Sequence, residues 1–433
     1  MKRAWMRLRT VVFVFLAGAV PAGADVIADW NICSQPIIAT GRSTIQFGAG
    51  PSTQLDLALV HLAMHDAVQA YDKRFETYAG TVESGPGSAA AAAARAAHKV
   101  LSERFPAQQS AIDACYVLSM IGIELSDPEL EDSNEVGTAA ATKVLNSRNG
   151  DFGHPPNPIT PFAGGTGPGQ WTPNPGTVSM VAPWFGAVRP YGLDSLSRCQ
   201  PDPLPALTSV EYAEAYNEVK DVGSKESTVR TAKQGHIART YSGNFGGQFN
   251  RLMRELAAAY LGGSDVASLG NRARLFAIVN TSAADSFICS WNAKKAFNFW
   301  RPDRAIQRGD TDGNFMTDPD PAWTPYMATP NYGDYTSGAN NIGGSMTRAL
   351  ALVFGSDRPF DDPFRVYWLG GAVPLLPEDS PYREYLRFSD IAKEIVDARV
   401  YLGIHFRFAD TEARSQGRRV ANYVFRNLLT PIK

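Results

Sequence analysis

Residues 271–302 read NRARLFAIVNTSAADSFICSWNAKKAFNFWRP and decide how the chain folds. The stretch has the strongest helical periodicity in the chain, with apolar residues recurring every three to four positions, so it predicts a helix over residues 271–299. Proline disfavours helical backbone in the residue before it, so Pro302 predicts that the helix stops at Arg301. The sequence therefore predicts one long helix with apolar residues and two lysines near its end.

Helical periodicity continues on both sides of this stretch and predicts an all-α protein, since strand-type alternation is almost absent. Alanine has the best intrinsic helix propensity, which supports the alanine-rich segment 88–101. The other predicted helices begin near residue 54 (QLDLALVHLAMHDAVQAY) or cover 108–123, 134–146, stretches within 209–259, 339–354, 389–402 and 410–428.

The segment 149–207 has a different character. It is rich in proline and glycine (HPPNPITPFAGGTGPGQWTPNPG over residues 154–176) and lacks sustained periodicity. We interpret it as an ordered crossover that wraps the surface and is anchored by Trp171 and Trp184. The sequence thus predicts an N-terminal helical bundle over 25–148, the crossover over 149–207, and a second helical domain over 208–433.

The N-terminus predicts a secretory signal peptide. Four cations precede the apolar run VVFVFLAGAV, and an A-x-A pattern follows at residues 22–24. We expect cleavage after Ala24 and a secreted or periplasmic mature protein. The alternative is an uncleaved anchor, although the apolar run is shorter than the ~20 residues that a span needs.

Composition excludes some classes of function. Removing the four cations of the signal leaves 37 basic against 43 acidic residues, a net charge of −6, and no long basic block indicates a nucleic-acid partner. The four cysteines are widely scattered, which excludes a CxxC zinc or redox site. One or two disulfides fit an exported protein, with the pairing left open.

Two cations mark the end of the long predicted helix. Lys294 and Arg301 are seven residues apart, which on a helix places both on one face, ~10 Å apart along the axis. A solvated, amphipathic helix end is the plain explanation. Phe297, Phe299 and Trp300 make this end apolar, however, and a charge buried there requires a counter-charge.

Two further segments carry groups suited to an anion. Ser337 and Gly338 open a predicted helix, where free backbone amides, a hydroxyl and a glycine that allows close approach suit an anion. A simple N-cap explains these two residues equally well. Arg399 and His405 lie six apart, and Gly403 predicts a helix end near residue 402. Arg399 would then project from the helix and His405 from the following turn.

The order K-x6-RP, then SG at a helix start, then R-x5-H is similar to the signature of the vanadium-dependent haloperoxidases and the type 2 phosphatidic acid phosphatases. The resemblance covers about residues 169–425, including WNAKKAFNFWRP, DPAWTP and GIHFRFAD. It implies that a bound vanadate, or phosphate, is neutralised by Lys294, Arg301 and Arg399. It also implies hydrogen bonds to that anion from Ser337 and the Gly338 amide, and an apical or nucleophilic role for His405.

Two positions depart from the family pattern. The usual PSGH is Thr336-Ser337-Gly338-Ala339 in this chain, so the histidine that assists proton transfer is missing. Losing a general acid–base commonly costs ~10²- to 10⁴-fold in rate. The acid that often follows the last histidine by four residues is also displaced, to Asp410.

The resemblance implies a secreted bacterial haloperoxidase that uses hydrogen peroxide and halide, with catalysis impaired at Ala339. Two alternatives stay open: a phosphomonoesterase that uses the same pocket on a phosphate ester, and a non-catalytic oxyanion-binding protein. Phosphate and vanadate share charge and tetrahedral shape, so the pocket residues alone do not separate them.

Overall fold

The computed structural model describes residues 25–151 and 155–433. The signal peptide predicted for residues 1–24 lies outside the described residues. The N-terminal helices are α1 (Val26–Arg42), α2 (Thr53–Asp72), α3 (Ala89–Arg104), α4 (Gln109–Ser119) and α5 (Asp127–Ser147). The later helices are α6 (Val210–Val222), α7 (Ala232–Thr240), α8 (Phe245–Tyr260), α9 (Val266–Phe297), α10 (Pro302–Gln307), α11 (Gly338–Val353), α12 (Phe388–Tyr401) and α13 (Arg407–Asn427).

Helices α2 and α9 form the centre of the molecule. Residues 54–70 of α2 are all buried, as expected for a helix that is covered on every side. It packs against α3 and α9, and α9 packs in turn against α11 and α13. One apolar core therefore continues from Val26 to Leu429. The all-α fold class is confirmed, whereas the proposed domain boundaries stay a prediction.

Helices α11 and α13 approach each other closely through glycine. A methyl group on Gly417 would lie 2.2 Å from the carbonyl oxygen of Asn341, and one on Gly344 would lie 2.3 Å from that of Arg414. This close contact fixes the beginning of α11, where Ser337 and Gly338 lie, against the beginning of α13.

Helices α1 and α10 and a β-hairpin were not predicted from the sequence. Helix α1 precedes the first predicted helix and contains Pro36, which interrupts the periodic pattern. An antiparallel hairpin, β1 (Phe364–Tyr367) and β2 (Tyr382–Tyr385), pairs Phe364 with Tyr385. Its strands have four residues each, which is too short for alternation to be recognised.

Over its described residues 155–207 the crossover contains two short 3₁₀ turns, Phe185–Ala187 and Leu196–Cys199, and one isolated β-bridge, between Gln170 and Phe299. Trp171 and Trp184 are both buried. The Trp171 amide donates to the Asn298 carbonyl at 2.8 Å, so the crossover contacts the chain just after α9. No helix in the described ranges is long and apolar enough to cross a membrane.

All four cysteines are paired. Cys33 bonds Cys115 and joins α1 to α4, while Cys199 bonds Cys289 and ties the crossover to α9. The pairing that the sequence left open is thereby assigned, and the second bond stabilises the helix that carries Lys294.

Candidate active site

Lys294 lies in the last turn of α9 and is almost completely buried, with 1% of its surface exposed. Its Nζ atom donates to the carbonyl oxygens of Gly333 at 2.7 Å and Asp334 at 3.0 Å. Burial, together with the nearby Arg301, lowers the pKa of Lys294 well below its usual value. An anion beside this amine would favour its charged form.

The predicted placement of Arg301 on the same helix as Lys294 was wrong. Helix α9 ends at Phe297 because Asn298 adopts the left-handed conformation with φ 47°. Arg301 instead has an extended backbone and caps α10, in which Pro302 is the first residue. The two cations still meet, because the chain turns back after Asn298 and does not continue along the helix axis.

Arg301 is 1% exposed and is held by backbone carbonyl groups. Its Nε atom donates to the Tyr332 carbonyl at 2.8 Å, and its Nη1 atom donates to the Ile404 carbonyl at 2.5 Å. These bonds fix the plane of the guanidinium between the loop before α11 and the turn after α12.

Ser337 and Gly338 open α11 as predicted, with Ser337 at the N-cap and Gly338 as the first helical residue. Ser337 is fully buried, and its side chain makes no capping bond to the helix amides. The simple N-cap explanation is therefore wrong for this hydroxyl. It is instead close to Asn340, whose Nδ2 atom lies 3.4 Å away.

Arg399 and His405 also lie as predicted. Helix α12 ends at Tyr401, and Gly403 has φ 76°, a conformation that glycine adopts readily. Arg399 therefore projects from the last turn of α12 and His405 from the turn that follows. Burial lowers the pKa of Arg399 to about 10, and its Nη1 atom donates to the Tyr241 carbonyl at 3.0 Å.

The three sequence segments converge on one buried cluster of charges. Burial, together with the positive charges of Arg301, Lys294 and Arg399, lowers the pKa of His405 well below its usual value. Two guanidinium nitrogens of the cluster, Arg301 Nη2 and Arg399 Nε, are buried and have no hydrogen-bond partner among the described residues. Buried polar groups are normally paired. A tetrahedral oxyanion fits this donor set, because it supplies several acceptors and negative charge.

The hydrogen-bond pattern assigns the tautomer of His405. Arg301 Nη1 lies 3.0 Å from His405 Nε2, and since a guanidinium only donates, Nε2 must carry the lone pair. The proton of the neutral ring is then on Nδ1. His405 thus has an unprotonated Nε2 beside the cations, and in this structure its lone pair accepts from Arg301.

A carboxyl group, that of Asp334, lies directly beside the His405 ring. Its Oδ1 atom lies 2.6 Å from His405 Nδ1, a close contact without hydrogen-bond alignment, and its other oxygen is 3.5 Å from the Phe406 amide. Burial raises the pKa of Asp334 to about 7. A carboxylate behind a ligating imidazole fixes the ring and raises its basicity. The displaced acid after His405 is thus replaced by one from the loop before α11.

Asp410, the displaced acid, lies in the same cluster. It is fully buried and accepts a hydrogen bond from Asn340 Nδ2 at 2.7 Å. Burial raises its pKa well above the usual value, while a hydrogen bond from the Ser337 side chain opposes that shift. Asp410 therefore positions Ser337 and Asn340 at the start of α11.

Two aromatic residues in the cluster were missed from the sequence. The Tyr332 ring centroid is 5.1 Å from Lys294 Nζ and 4.9 Å from the Arg301 guanidinium carbon, and Trp291 lies 5.8 Å from Lys294 Nζ. Such rings stabilise buried cations. The spacing of Trp291 and Lys294, three residues apart on α9, is a signal that could have indicated this contact.

We expect Asp334→Asn to weaken vanadate binding by ~10- to 100-fold, the usual effect of removing a carboxylate behind a ligating histidine. The amide preserves the shape of the side chain but lacks the charge that holds His405. Titration calorimetry with vanadate measures the effect, and Asp310→Asn at an exposed position of the same region is the matched control. Equal affinities of the two variants would contradict a positioning role for Asp334.

Comparison with known proteins finds a matching family model and a curated relative that are both described as vanadium chloroperoxidases or their domains. Residues 274–433 match the family described as the VCPO second helical-bundle domain. A curated relative, vanadium chloroperoxidase from Curvularia inaequalis, is 27% identical over 206 residues, which cover 38% of this chain and 33% of that protein. The chain therefore matches about a third of the length of that relative.

Solved structures share nearly the whole fold. A structure described as the first bacterial vanadium-dependent iodoperoxidase aligns with a TM-score of 0.75 at 23% identity, covering 94% of this chain and 98% of that chain. The apo form of a bacterial vanadium-dependent chloroperoxidase aligns with a TM-score of 0.70 at 16% identity, covering 89% and 94%. These structures show that the fold is shared, while the resemblance to the vanadium haloperoxidases rests on the family match over residues 274–433 and on the curated relative.

Proposed function

We propose that this protein is a vanadium-dependent haloperoxidase that oxidises halide with hydrogen peroxide. The observation that carries the proposal is the pair of unpaired, buried guanidinium nitrogens of Arg301 and Arg399 beside the unprotonated Nε2 of His405. The residues that would hold vanadate are Lys294, Arg301, Ser337, Gly338, Arg399 and His405. Bound vanadate would supply a Lewis-acid centre that activates hydrogen peroxide without a change of metal oxidation state.

The protein residues have separate tasks in this proposal. The three cations would neutralise the anion in a buried site, where each charge interacts more strongly than in water. The Gly338 amide would donate a hydrogen bond at the positive end of α11, and the Ser337 hydroxyl would do so by turning from Asp410 to the anion. His405 would provide the lone pair of Nε2 once the anion replaces Arg301 Nη1 as its partner, and the Asp334 carboxyl lies beside Nδ1 on the opposite side of the ring.

The relatives favour vanadate over a phosphate ester as the bound species, since the named matches are chloroperoxidases and an iodoperoxidase. Assays of the purified protein with vanadate, peroxide and bromide, and separately with p-nitrophenyl phosphate, distinguish the two activities. Bromide oxidation that depends on vanadate supports the proposal. Phosphatase turnover without it would favour the phosphomonoesterase, and vanadate binding without either activity would favour the oxyanion-binding protein.

Replacing Ala339 by histidine is expected to raise peroxidase turnover by at least ~tenfold, toward the lower end of what a positioned acid–base contributes. Ala339 is the second residue of α11, next to Gly338, and 9% of its surface is exposed. Steady-state rates of bromide oxidation measure the change. Ala339→Gln is the control of similar size without a titratable group, and equal rates for both variants would contradict the expected role of an imidazole.

We further propose that the protein is exported, as its N-terminal sequence predicted. Two disulfides support an oxidising compartment. The expected mature protein begins at Asp25, which caps α1, and intact-mass measurement of material from the periplasm or medium tests this. Protein found only in the cytoplasm with residues 1–24 retained would contradict export.

A further inference from the structure

The loop that opens α11 is held by the side chain of Gln416, a fully buried residue of α13. Its Oε1 atom accepts hydrogen bonds from Thr336 Oγ1 at 2.7 Å and from Asn341 Nδ2 at 3.0 Å. The Asn341 Nδ2 atom also lies 3.0 Å from Thr336 Oγ1 and 3.2 Å from the Ser337 carbonyl oxygen. These three buried side chains therefore form a closed triangle of hydrogen bonds next to the backbone that places Ser337 and Gly338.

The opposite end of the Gln416 amide contacts the crossover. Gln416 Nε2 donates to the Cys199 carbonyl oxygen at 2.5 Å, and Cys199 is bonded to Cys289 of α9. In an amide side chain the nitrogen only donates and the oxygen only accepts. A reversed amide would place two acceptor oxygens against each other and would turn Nε2 toward the Asn341 donor. The Cys199 carbonyl therefore determines which way the Gln416 amide faces.

Helix α9 fixes the same loop from a second direction. Ser290 follows Cys289 in this helix, and its Oγ atom donates to the Thr336 carbonyl oxygen at 2.9 Å. Thr336 is thus held through its carbonyl by α9 and through its hydroxyl by Gln416. Lys294 lies about one turn further along the same helix. The disulfide, the contact with Thr336 and one cation of the oxyanion site therefore belong to one short segment of α9.

We infer that Gln416 is a positioning residue of the oxyanion site and that the Cys199–Cys289 disulfide holds its amide in the working orientation. Gln416 acts through its two partners in the triangle on the first residues of α11, whose hydroxyl and amide donors must be held within ~0.5 Å of their productive positions. The inference deepens the proposed function and rests on it for the identity of the bound anion.

Formation of this disulfide then completes the oxyanion site. In thiol–disulfide exchange the two cysteine thiols transfer two protons and two electrons to a disulfide of the oxidant, which becomes two thiols. Oxidants of this kind act in the compartments that receive exported proteins. Cys199 and Cys289 are each 2% exposed, so the folded chain protects the bond from soluble thiols. The affinity of the site for its anion therefore depends on folding in an oxidising compartment.

Hydrogen–deuterium exchange of the full protein without vanadate tests the positioning directly. The double variant Cys199→Ala with Cys289→Ala frees the crossover from α9. The peptide covering residues 336–341 is expected to exchange roughly two- to tenfold faster in it, the effect of weakening one hydrogen bond. The double variant Cys33→Ala with Cys115→Ala removes the bond between α1 and α4 and is the matched control, with unchanged exchange in this peptide. Equal exchange of the peptide in both double variants would overturn the role of the disulfide.

Gln416→Met tests the amide itself, because it keeps a side chain of similar length and leaves both disulfides intact. We expect faster exchange of the same peptide and a vanadate Kd raised at least ~tenfold, since three buried hydrogen bonds are lost. If the disulfide acts through Gln416, combining this change with Cys199→Ala and Cys289→Ala adds no further effect. Fully additive effects would overturn the claim that the amide and the disulfide act as one unit.

Variants of Thr336 separate positioning by a hydrogen bond from simple packing. Thr336→Val keeps the shape of the side chain but loses the hydroxyl, and it is expected to raise the vanadate Kd roughly two- to tenfold. Thr336→Ser keeps the hydroxyl and should bind vanadate like the wild type. A larger loss of affinity in Thr336→Ser than in Thr336→Val would show that Thr336 only fills space, and would overturn the role of the triangle.

Exchange and vanadate binding measured on the same samples separate this inference from the proposed function. The expected exchange pattern without vanadate binding by the wild type would support the positioning role and overturn the peroxidase. Vanadate binding by the wild type, with equal exchange in all variants, would overturn the positioning role and leave the proposed function standing.

Discussion

Replacing His405 by alanine is expected to weaken vanadate binding by more than ~100-fold and to reduce bromide oxidation to background. Removing a group behind a metal ligand already costs ~10- to 100-fold in affinity, so loss of the ligand itself costs more. The substitution leaves Arg301 Nη1 bonded to the Ile404 carbonyl, and Asp334 keeps its 3.6 Å contact with the same guanidinium. The site therefore loses its coordinating atom but keeps its positive charge.

Calorimetry with vanadate and the rate of bromide oxidation measure this effect. The control is His98→Ala, because His98 pairs with Asp113 at the surface, away from the cluster. Both variants should unfold at similar denaturant concentrations. If His405→Ala binds vanadate as tightly as His98→Ala does, His405 is not the ligand.

The second large effect is expected for Arg301→Ala. Truncating one member of a buried, hydrogen-bonded charge pair costs ~2–5 kcal/mol, which is roughly 30- to several thousand-fold in affinity for the oxyanion. The variant loses the unpaired Nη2 donor and also leaves the Tyr332 and Ile404 carbonyls without their guanidinium donors. Vanadate affinity should therefore fall sharply, and stability should fall with it.

Two companion variants separate these effects. Arg301→Lys retains the charge but not the planar fork, and we expect it to recover only part of the affinity. Arg308→Ala removes a guanidinium from the end of α10 whose Nη1 atom donates to the Thr166 carbonyl at 3.3 Å, and this variant should bind vanadate normally. Wild-type affinity in Arg301→Ala would show that the unpaired nitrogen does not contact the anion.

Local sequence signals predicted the parts of the site that depend on local structure. The start of α11 at Gly338 followed from a loop with a serine and a glycine before a periodic stretch. The turn between Arg399 and His405 followed from Gly403, whose φ of 76° suits glycine. In both cases the residues that determine the backbone are adjacent in sequence to the residues that they position.

The position of Arg301 could not be read in the same way. The segment after α9 leaves the helix and pairs with the crossover: Gln170 and Phe299 form a β-bridge, and the Trp300 amide donates to the Gly169 carbonyl at 3.0 Å. These partners are about 130 residues away in sequence, so helical periodicity carries no information about them. Pro302 correctly predicted that the helix is interrupted. It did not predict that Arg301 and Pro302 belong to the start of a separate short helix, α10.

The residue that contacts His405 Nδ1 could not be predicted from local sequence signals either. Asp334 lies 71 residues before His405 in the sequence, and several other polar residues surround Ser337. Asn341 instead donates to Thr336 and Gln416, and the Tyr335 hydroxyl donates to the Asp202 carbonyl. Only the folded loop before α11 distinguishes Asp334 from these neighbours.

The most direct test of the account is a crystal structure of the protein with vanadate, with the metal located by its anomalous scattering. We expect one vanadium peak beside His405 Nε2, with its oxygen atoms in contact with Lys294, Arg301 and Arg399. A peak at another place, or full occupancy of the cluster by a protein side chain in the presence of saturating vanadate, would contradict the assignment of this cluster as the active site.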